Sequence, residues 1–383
     1  MAAAGTIPEG KAGDTSPLRV MIVDDSAVIR GMVARWLGAE ADIEIVSTAP
    51  NGAMAIRLVA RAAPDVIILD VEMPEMDGLT ALPEILRLAG NAKVLMSSTL
   101  TRSGAEISMK ALTLGAADYL TKPSSTREAG TVDIFRRELV EKVRALGASV
   151  RRQRLRTRPE AVPVAIAEAR PARVPPPISL RAAGLVRPQV LAIGSSTGGP
   201  QALSTLLGPL ASRLDVPILI TQHMPATFTA IMAEHLAKAT GVAAAEARDG
   251  ETLEGRRIYV APGGFHMIVE RQGTSRVLRL SNAPPENFCR PSVDPMLRSV
   301  ATVYGAASLV VILTGMGQDG LNGCRVIVDA GGTVIAQDEA SSVVWGMPGA
   351  VTGAGLCSAV LPLGEIGTAA ERMLRGPALA GGR

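Results

Sequence analysis

Short β-branched runs alternate with helix-spaced apolar segments twice along this chain, and that alternation leaves few folds open. LRVMIVDD (18–25), EIVSTA (44–49), DVIILD (65–70), KVLMSS (93–98) and DYLTKP (118–123) read as strands. Between the first two, Val28, Met32, Val33, Trp36 and Leu37 form one helical face over 26–37, and 52–61 continues as a helix. Between its two acids DVIILD is an unbroken apolar run, as a strand buried on both faces must be. Five such alternations predict a doubly wound parallel sheet. From 189 the pattern resumes with QVLAI (189–193), VPILIT (216–221), RIYVAP (257–262), SLVVILTG (308–315) and TVIAQ (333–337). HMIVE (266–270) and RVLRLS (276–281) read as a hairpin around 271–275, and helices fit 201–207, 227–240, 293–304 and 320–330. The second half is thus another doubly wound, mostly parallel α/β domain with a small β-hairpin.

The intervening stretch breaks both periods. Residues 151–187 hold nine Arg, no Lys, two Glu and six Pro, a local charge of +7. Arg and Pro without apolar periodicity predict an extended, solvated tether. The expected organisation is a disordered lead-in over 1–16, a first domain over 17–140, a linker over 141–187 and a second domain over 188–375. The whole chain is +3, so everything outside the tether sums to −4. The basic balance is therefore no footprint for nucleic acid on a folded face. Aromatics make up 2% of the chain, which excludes base-stacking platforms and makes both cores aliphatic. Cys289, Cys324 and Cys357 are too few and too scattered for a disulfide framework, and all three are expected to be buried in a reducing compartment. No signal peptide and no run of 18 consecutive apolar residues is present, so the expected location is the cytoplasm, with no membrane insertion.

Chemistry-bearing residues cluster where open α/β sheets place their sites, at strand C-terminal ends. In the first domain Asp24 and Asp25 end the first strand, Asp70 the third, Ser98 the fourth, and Lys122, followed by Pro123, the fifth. Converging carboxylates repel one another unless a cation sits among them, and hard oxygen donors suit Mg²⁺. A carboxylate beside Mg²⁺ can accept a phosphoryl group, whose oxygens Lys122 and Ser98 could hold. This joint pattern, with DVEMPEMDG (70–78), resembles the receiver domain of response regulators. The resemblance implies a flavodoxin-like five-stranded sheet with Asp70 as phosphoacceptor and Asp24, Asp25 and Asp70 as Mg²⁺ ligands. It makes Ser98 and Lys122 switch residues, with Tyr119 at the position of the switch aromatic.

In the second domain AIGSSTGGP (192–200) turns from a strand into a helix, which exposes a serine beside free helix N-terminal amides. A phosphate loop is the alternative, but the lysine of a Walker motif is missing. ITQHMP (220–225) places His223, and LTGMGQDG (313–320) places Asp319, just past two further strands. Nucleophile, base and orienting acid at three strand ends of one sheet suit a Ser–His–Asp hydrolase. The order Ser, His, Asp and the lack of GxSxG separate this from the α/β-hydrolases. His266 could border the site, and Asp338 and Glu339 could compete with Asp319. IGSSTGG, TQHMP, RPSVD (290–294) and LTGMGQDG, behind a receiver and a linker, resemble the chemotaxis protein-glutamate methylesterase (CheB) family over about 18–370.

That resemblance implies Ser196 as nucleophile, His223 as general base and Asp319 as orienting acid, with Thr197 and Met316 lining the oxyanion site. Ser195 stands where the family usually has Ala. Arg290 and Asp294 are read either as substrate contacts or as caps of the following helix. The implied enzyme hydrolyses glutamate γ-methyl esters of chemoreceptors, releasing methanol, and deamidates receptor glutamines. A chemotaxis histidine kinase supplies the phosphoryl group that relieves occlusion by the receiver. No cofactor is expected in the catalytic domain, no nucleic acid as partner, and a monomer as the oligomeric state. The rival readings are a phospho-switched binding module with a vestigial triad, and a response regulator with a DNA-binding output.

Overall fold

The computed structural model describes residues 16–122, 129–157 and 179–375. The lead-in read over 1–16, apart from Ser16, and the 158–178 part of the linker lie outside the described residues. The chain divides into two compact units, Met1–Ser97 with Ser125–Pro159, and Ser98–Ser124 with Glu160–Arg383.

The first α/β stretch runs β1 (Leu18–Val23), α1 (Ala27–Gly38), β2 (Ile43–Ala49), α2 (Gly52–Ala62), β3 (Val66–Asp70), α3 (Gly78–Leu88), β4 (Lys93–Thr99), α4 (Arg102–Thr113) and β5 (Asp118–Lys122). Its sheet has the order β2-β1-β3-β4-β5, with β1 parallel to β2 and β3, and β3 parallel to β4. All of β3 is buried, as its unbroken apolar run requires. Helices start where a short polar side chain caps them: Ser26 accepts from the Ile29 amide, Asn51 from Met54, Asp77 from Thr80 and Thr101 from Gly104. The first four strands and three helices belong to the first unit, up to Ser97 in β4, whereas α4 and β5 group with the second.

Helix α5 (Ala129–Thr157) runs well past 141, where the linker was expected to begin. Its apolar stripe explains why: Phe135, Leu139, Val143, Leu146 and Val150 recur every third or fourth residue and are all buried. Trp36 of α1 meets Phe135 edge-on at 6.0 Å, and Arg144 binds Asp42 at 2.7 Å. The arginines that suggested a tether thus begin on a helix whose packing is set by the residues before them.

The second α/β stretch contains β6 (Val190–Ser195), α6 (Gly199–Leu210), β7 (Ile218–Gln222), α7 (Ala226–Thr240), β8 (Ala243–Glu246) and β9 (Arg257–Val260). It continues through β10 (His266–Gln272), β11 (Ser275–Ser281), α8 (Val293–Tyr304), β12 (Ser308–Ile312), α9 (Leu321–Asp329), β13 (Thr333–Gln337), α10 (Met347–Gly353), β14 (Ala359–Leu361) and α11 (Leu363–Arg375). The seven-stranded sheet has the order β14-β13-β12-β6-β7-β9-β8, and every pairing in it is parallel. β10 and β11 form the expected antiparallel hairpin. The core is aliphatic around Leu191, Ile193, Ile220 and Ile312, with Tyr259 and Phe228 as its large buried aromatics. β7 follows β6 on one side and β12 returns on the other, so the strand order reverses at β6. That reversal opens a crevice at the carboxyl ends of these three strands. No helix among the described residues is long and apolar enough to cross a membrane.

Candidate active site

Ser195 and Ser196 part company at the end of β6. Ser195 is 0% exposed, and its hydroxyl donates to Gln222 Oε1 at 2.7 Å. Ser196 is half-buried on the turn into α6. The same Gln222 side chain, at the end of β7, donates through Nε2 to the Ser196 carbonyl at 2.9 Å. One buried amide therefore ties the turn to the neighbouring strand. Backbone crowding completes the turn: a Cβ on Gly315 would stand 2.9 Å from Ser196 Cβ and 3.0 Å from its amide nitrogen, so only glycine fits there. Met316 follows Gly315 and is half-buried beside this turn. The start of α6 adds the partial positive charge of a helix N-terminus.

His223 leaves β7 with its amide donating to the Ser195 carbonyl at 3.2 Å. Its Nε2 lies 2.7 Å from Asp319 Oδ2. Its Nδ1 lies 3.4 Å from the Cys289 thiol. Among the hydrogen bonds of the described residues, none joins the Ser196 hydroxyl to the ring. Burial works to lower the imidazole pKa, but Cys289 and Asp319 together outweigh it and hold the ring above its ordinary range.

Asp319 is 2% exposed and sits in a cage of donors. Its Oδ2 takes His223 and the Val293 amide at 2.6 Å. Its Oδ1 takes the Ser292 hydroxyl at 2.7 Å, Asn287 Nδ2 at 2.9 Å, and the amides of Gly320 at 2.9 Å and Asp294 at 3.2 Å. Val293 opens α8, so the carboxylate also faces a helix N-terminus. Burial alone would raise its pKa. The bonds from His223, Val293 and Ser292 more than reverse that and bring it to about 2. Because Asp319 is ionised, the neutral form of the ring keeps its proton on Nε2, bonded to that carboxylate, and Nδ1 is the nitrogen that gains and loses a proton.

The remaining residues singled out in the sequence fall into place around this pair. Thr197 is buried; its hydroxyl donates to Asp118 Oδ2 at 2.7 Å, and its carbonyl accepts from Thr314 at 2.9 Å. Asp118 opens β5, and Tyr119 beside it stacks on Phe228 of α7 at 4.2 Å. These contacts lie inside the second unit. Arg290 binds the carbonyls of Asn282 and Ala283, and Asp294 is buried under the Gly323 amide, so both brace the loop before α8. His266 is buried, takes the Ser292 amide at Nδ1 and bonds the Pro284 carbonyl through Nε2, which commits both nitrogens to that loop. Asp338 binds the Ser341 amide and hydroxyl in a turn after β13. Cys324 and Cys357 are buried as expected, but Cys289 is not: it is half-exposed because its loop carries it to the imidazole. Cys289, Asn287, Ser292 and Gln222 had no readable signal beyond their nearness to RPSVD and TQHMP.

In the first α/β stretch Asp24, Asp25 and Asp70 bring one oxygen each to within 4.8 Å of one another, with Asp24 and Asp70 only 3% exposed. Three carboxylates so close, two of them removed from water, fit a hard dication such as Mg²⁺. Ser98 is buried at the end of β4 and accepts from the Ser108 hydroxyl of α4 at 3.0 Å. Lys122 ends β5, half-buried.

Comparison with known proteins gives this arrangement a lineage. A CheB methylesterase family model matches residues 191–370, and a response regulator receiver domain model matches 20–131. The protein-glutamate methylesterase/protein-glutamine glutaminase of Azospirillum brasilense is 56% identical over 368 residues, 94% of this chain and 93% of that protein. A second protein of that description, from Paramagnetospirillum magneticum, is 56% identical over 92% of this chain and 95% of its own. The crystal structure of the Thermotoga maritima CheB methylesterase catalytic domain is 38% identical and covers 49% of this chain and 98% of that one, with a TM-score of 0.47. With such identity sustained across nearly its whole length, this chain belongs to the CheB methylesterase family.

Proposed function

We propose that this chain hydrolyses glutamate γ-methyl esters on the cytoplasmic helices of chemoreceptors and deamidates their glutamines, with Ser196, His223 and Asp319 as its working residues. The observation that carries the reading is the Asp319 cage. A carboxylate bonded by six donors, one of them His223, has its geometry and charge fixed before any substrate arrives. With Nε2 pinned, Nδ1 takes the proton of the Ser196 hydroxyl as Oγ attacks the γ-carbonyl carbon. The tetrahedral oxyanion forms beside the α6 N-terminus, with Thr197 and Met316 lining it. As the C–O or C–N bond breaks, the imidazolium returns the proton to methanol or ammonia. Water then hydrolyses the acyl-serine by the same route in reverse. One site serves both substrates because both pass through an oxyanion at the same carbon.

The first domain supplies control in this reading. Asp70 accepts a phosphoryl group from a chemotaxis histidine kinase, with Lys122 and Ser98 meeting its oxygens. Asp24, Asp25 and Asp70 would hold Mg²⁺, which neutralises phosphoryl charge when bound. The expected cytoplasmic location and monomeric state go with this reading. The contacts of 98–124 support occlusion: Asp118 takes the Thr197 hydroxyl one residue from Ser196, and Tyr119 stacks on α7. Substituting Asp118→Ala frees that hydroxyl. The unphosphorylated rate of methanol release from methylated receptor membranes should rise about fivefold or more, a typical coupling, while the rate with phosphodonor stays where it was. An unphosphorylated rate no higher than wild type would remove this contact from the switch.

A further inference from the structure

We propose that Cys289 is a positioning residue for this hydrolysis: its thiol holds the Nδ1 edge of His223 in the resting enzyme and sets the proton affinity of the base that Ser196 must use. The inference rests on the reading of His223 as that base. Its starting point is that the basic nitrogen, the one left free by Asp319, faces sulfur at 3.4 Å.

The placement is built. Cys289 and Glu286 exchange both backbone hydrogen bonds, at 2.9 and 3.1 Å, closing a four-residue turn. Arg298 of α8 grips Glu286 through both carboxylate oxygens. Asn287, inside the turn, reaches Asp319, and His266 joins the two ends of the loop. Asn287 and Phe288 hold left-handed φ values of 51° and 62°. A bulky phenylalanine, 85% exposed, adopts that conformation only where its surroundings determine it. The same turn thus orients the carboxylate through Asn287 and presents sulfur to the opposite edge of the ring through Cys289.

The chemistry follows from the facing groups. Asp319, from the turn after β12, and Cys289, from the loop before α8, are the ionisable groups bonded to the ring. Asp294 and the Glu286–Arg298 pair stand behind them, and Ser195, Ser196 and Gln222 bring no ionisable group from the β6 and β7 ends. One proton can be shared between sulfur and Nδ1. With that proton on nitrogen the negative sulfur stabilises the imidazolium, and sulfur must yield that nitrogen before Ser196 can give up its proton. The sulfur therefore acts through His223, and its removal makes the ring a weaker base with a more accessible Nδ1.

The test reads the ring directly, independent of turnover. The chain has three histidines, so ¹⁵N-histidine spectra of the full chain, with His223 assigned by its loss in His223→Gln, report its titration and tautomer. In wild type, His223 should titrate above the ordinary histidine range and hold its neutral-form proton on Nε2. In Cys289→Ala and in Cys289→Ser the midpoint should fall by about one unit, a tenfold loss of proton affinity. The acidic limb of kcat/KM for methanol release should move down with it, with KM unchanged. A His223 midpoint that stays put in both folded variants overturns the proposal, since packing alone would not move it. Esterase activity surviving in Ser196→Ala would instead sink the parent reading and leave the His223 titration to stand by itself.

Discussion

Asp319→Asn should lower kcat by about 10⁴-fold, the cost found when the acid of a comparable triad becomes an amide. The cage makes this substitution harsher here than its size suggests. Every contact made by the carboxylate comes from a donor. An asparagine offers one oxygen and one NH₂, so the NH₂ must face either the imidazole or a set of backbone amides. If it faces the ring, His223 takes the tautomer with its proton on Nδ1 and can no longer accept from serine. If it faces the amides, several buried donors lose their acceptor, at roughly 1–3 kcal/mol each. The wild-type carboxyl also links stability to pH. Its pKa falls from an ordinary 3.8 to about 2 in the fold, a depressed value. That contributes about 2 kcal/mol above pH 4, lost as pH falls toward 2. Denaturant unfolding at pH 7 and pH 3 should show about half of this loss, roughly 1 kcal/mol, in wild type and a much smaller one in Asp319→Asn.

Ser196→Ala and Ser195→Ala should differ by orders of magnitude despite being adjacent. Loss of a serine nucleophile costs about 10⁴-fold to 10⁶-fold in kcat, with residual turnover from the remaining site. Ser195 cannot substitute, because it is fully buried and its hydroxyl is donated to Gln222. Its removal should cost about 1 kcal/mol of stability for one buried hydrogen bond. Its effect on kcat should be confined to what a loosened Gln222 clamp does to the turn. Methanol release by the two variants, measured side by side, checks this. A Ser195→Ala variant as inactive as Ser196→Ala would show that the clamp, rather than a single hydroxyl, is indispensable.

Much of the scaffold was legible because parallel strands are buried on both faces and advertise themselves as unbroken apolar runs. DVIILD and QVLAI lie within one or two residues of β3 and β6, and SLVVILTG starts with β12 but overruns its end by three residues. The strands that carry no such signal are those to which this reason does not apply. β8 is AAAE and β14 is AVL, short edge strands with no buried residue between them. The placement of Ser196, His223 and Asp319 at three neighbouring strand ends was readable for the same reason as the strands. What surrounds them was not. Asn287 and Ser292 reach Asp319 from a loop 32 and 27 residues away that has no period. Cys289 reads in the sequence as one more apolar cysteine, and only the closure of that loop brings it to the imidazole. The continuation of α5 through 141–157 is masked by composition, since arginines crowd its end beyond the apolar stripe that closes at Val150.

The most direct test of the account is methanol release from methylated chemoreceptor membranes by the full chain, with Mg²⁺, with and without a small phosphodonor. Release should depend on Ser196 and rise on phosphodonor addition in wild type. In Asp70→Asn the basal release should persist without the rise. Release that survives Ser196→Ala, or that responds to phosphodonor equally in Asp70→Asn, would contradict it.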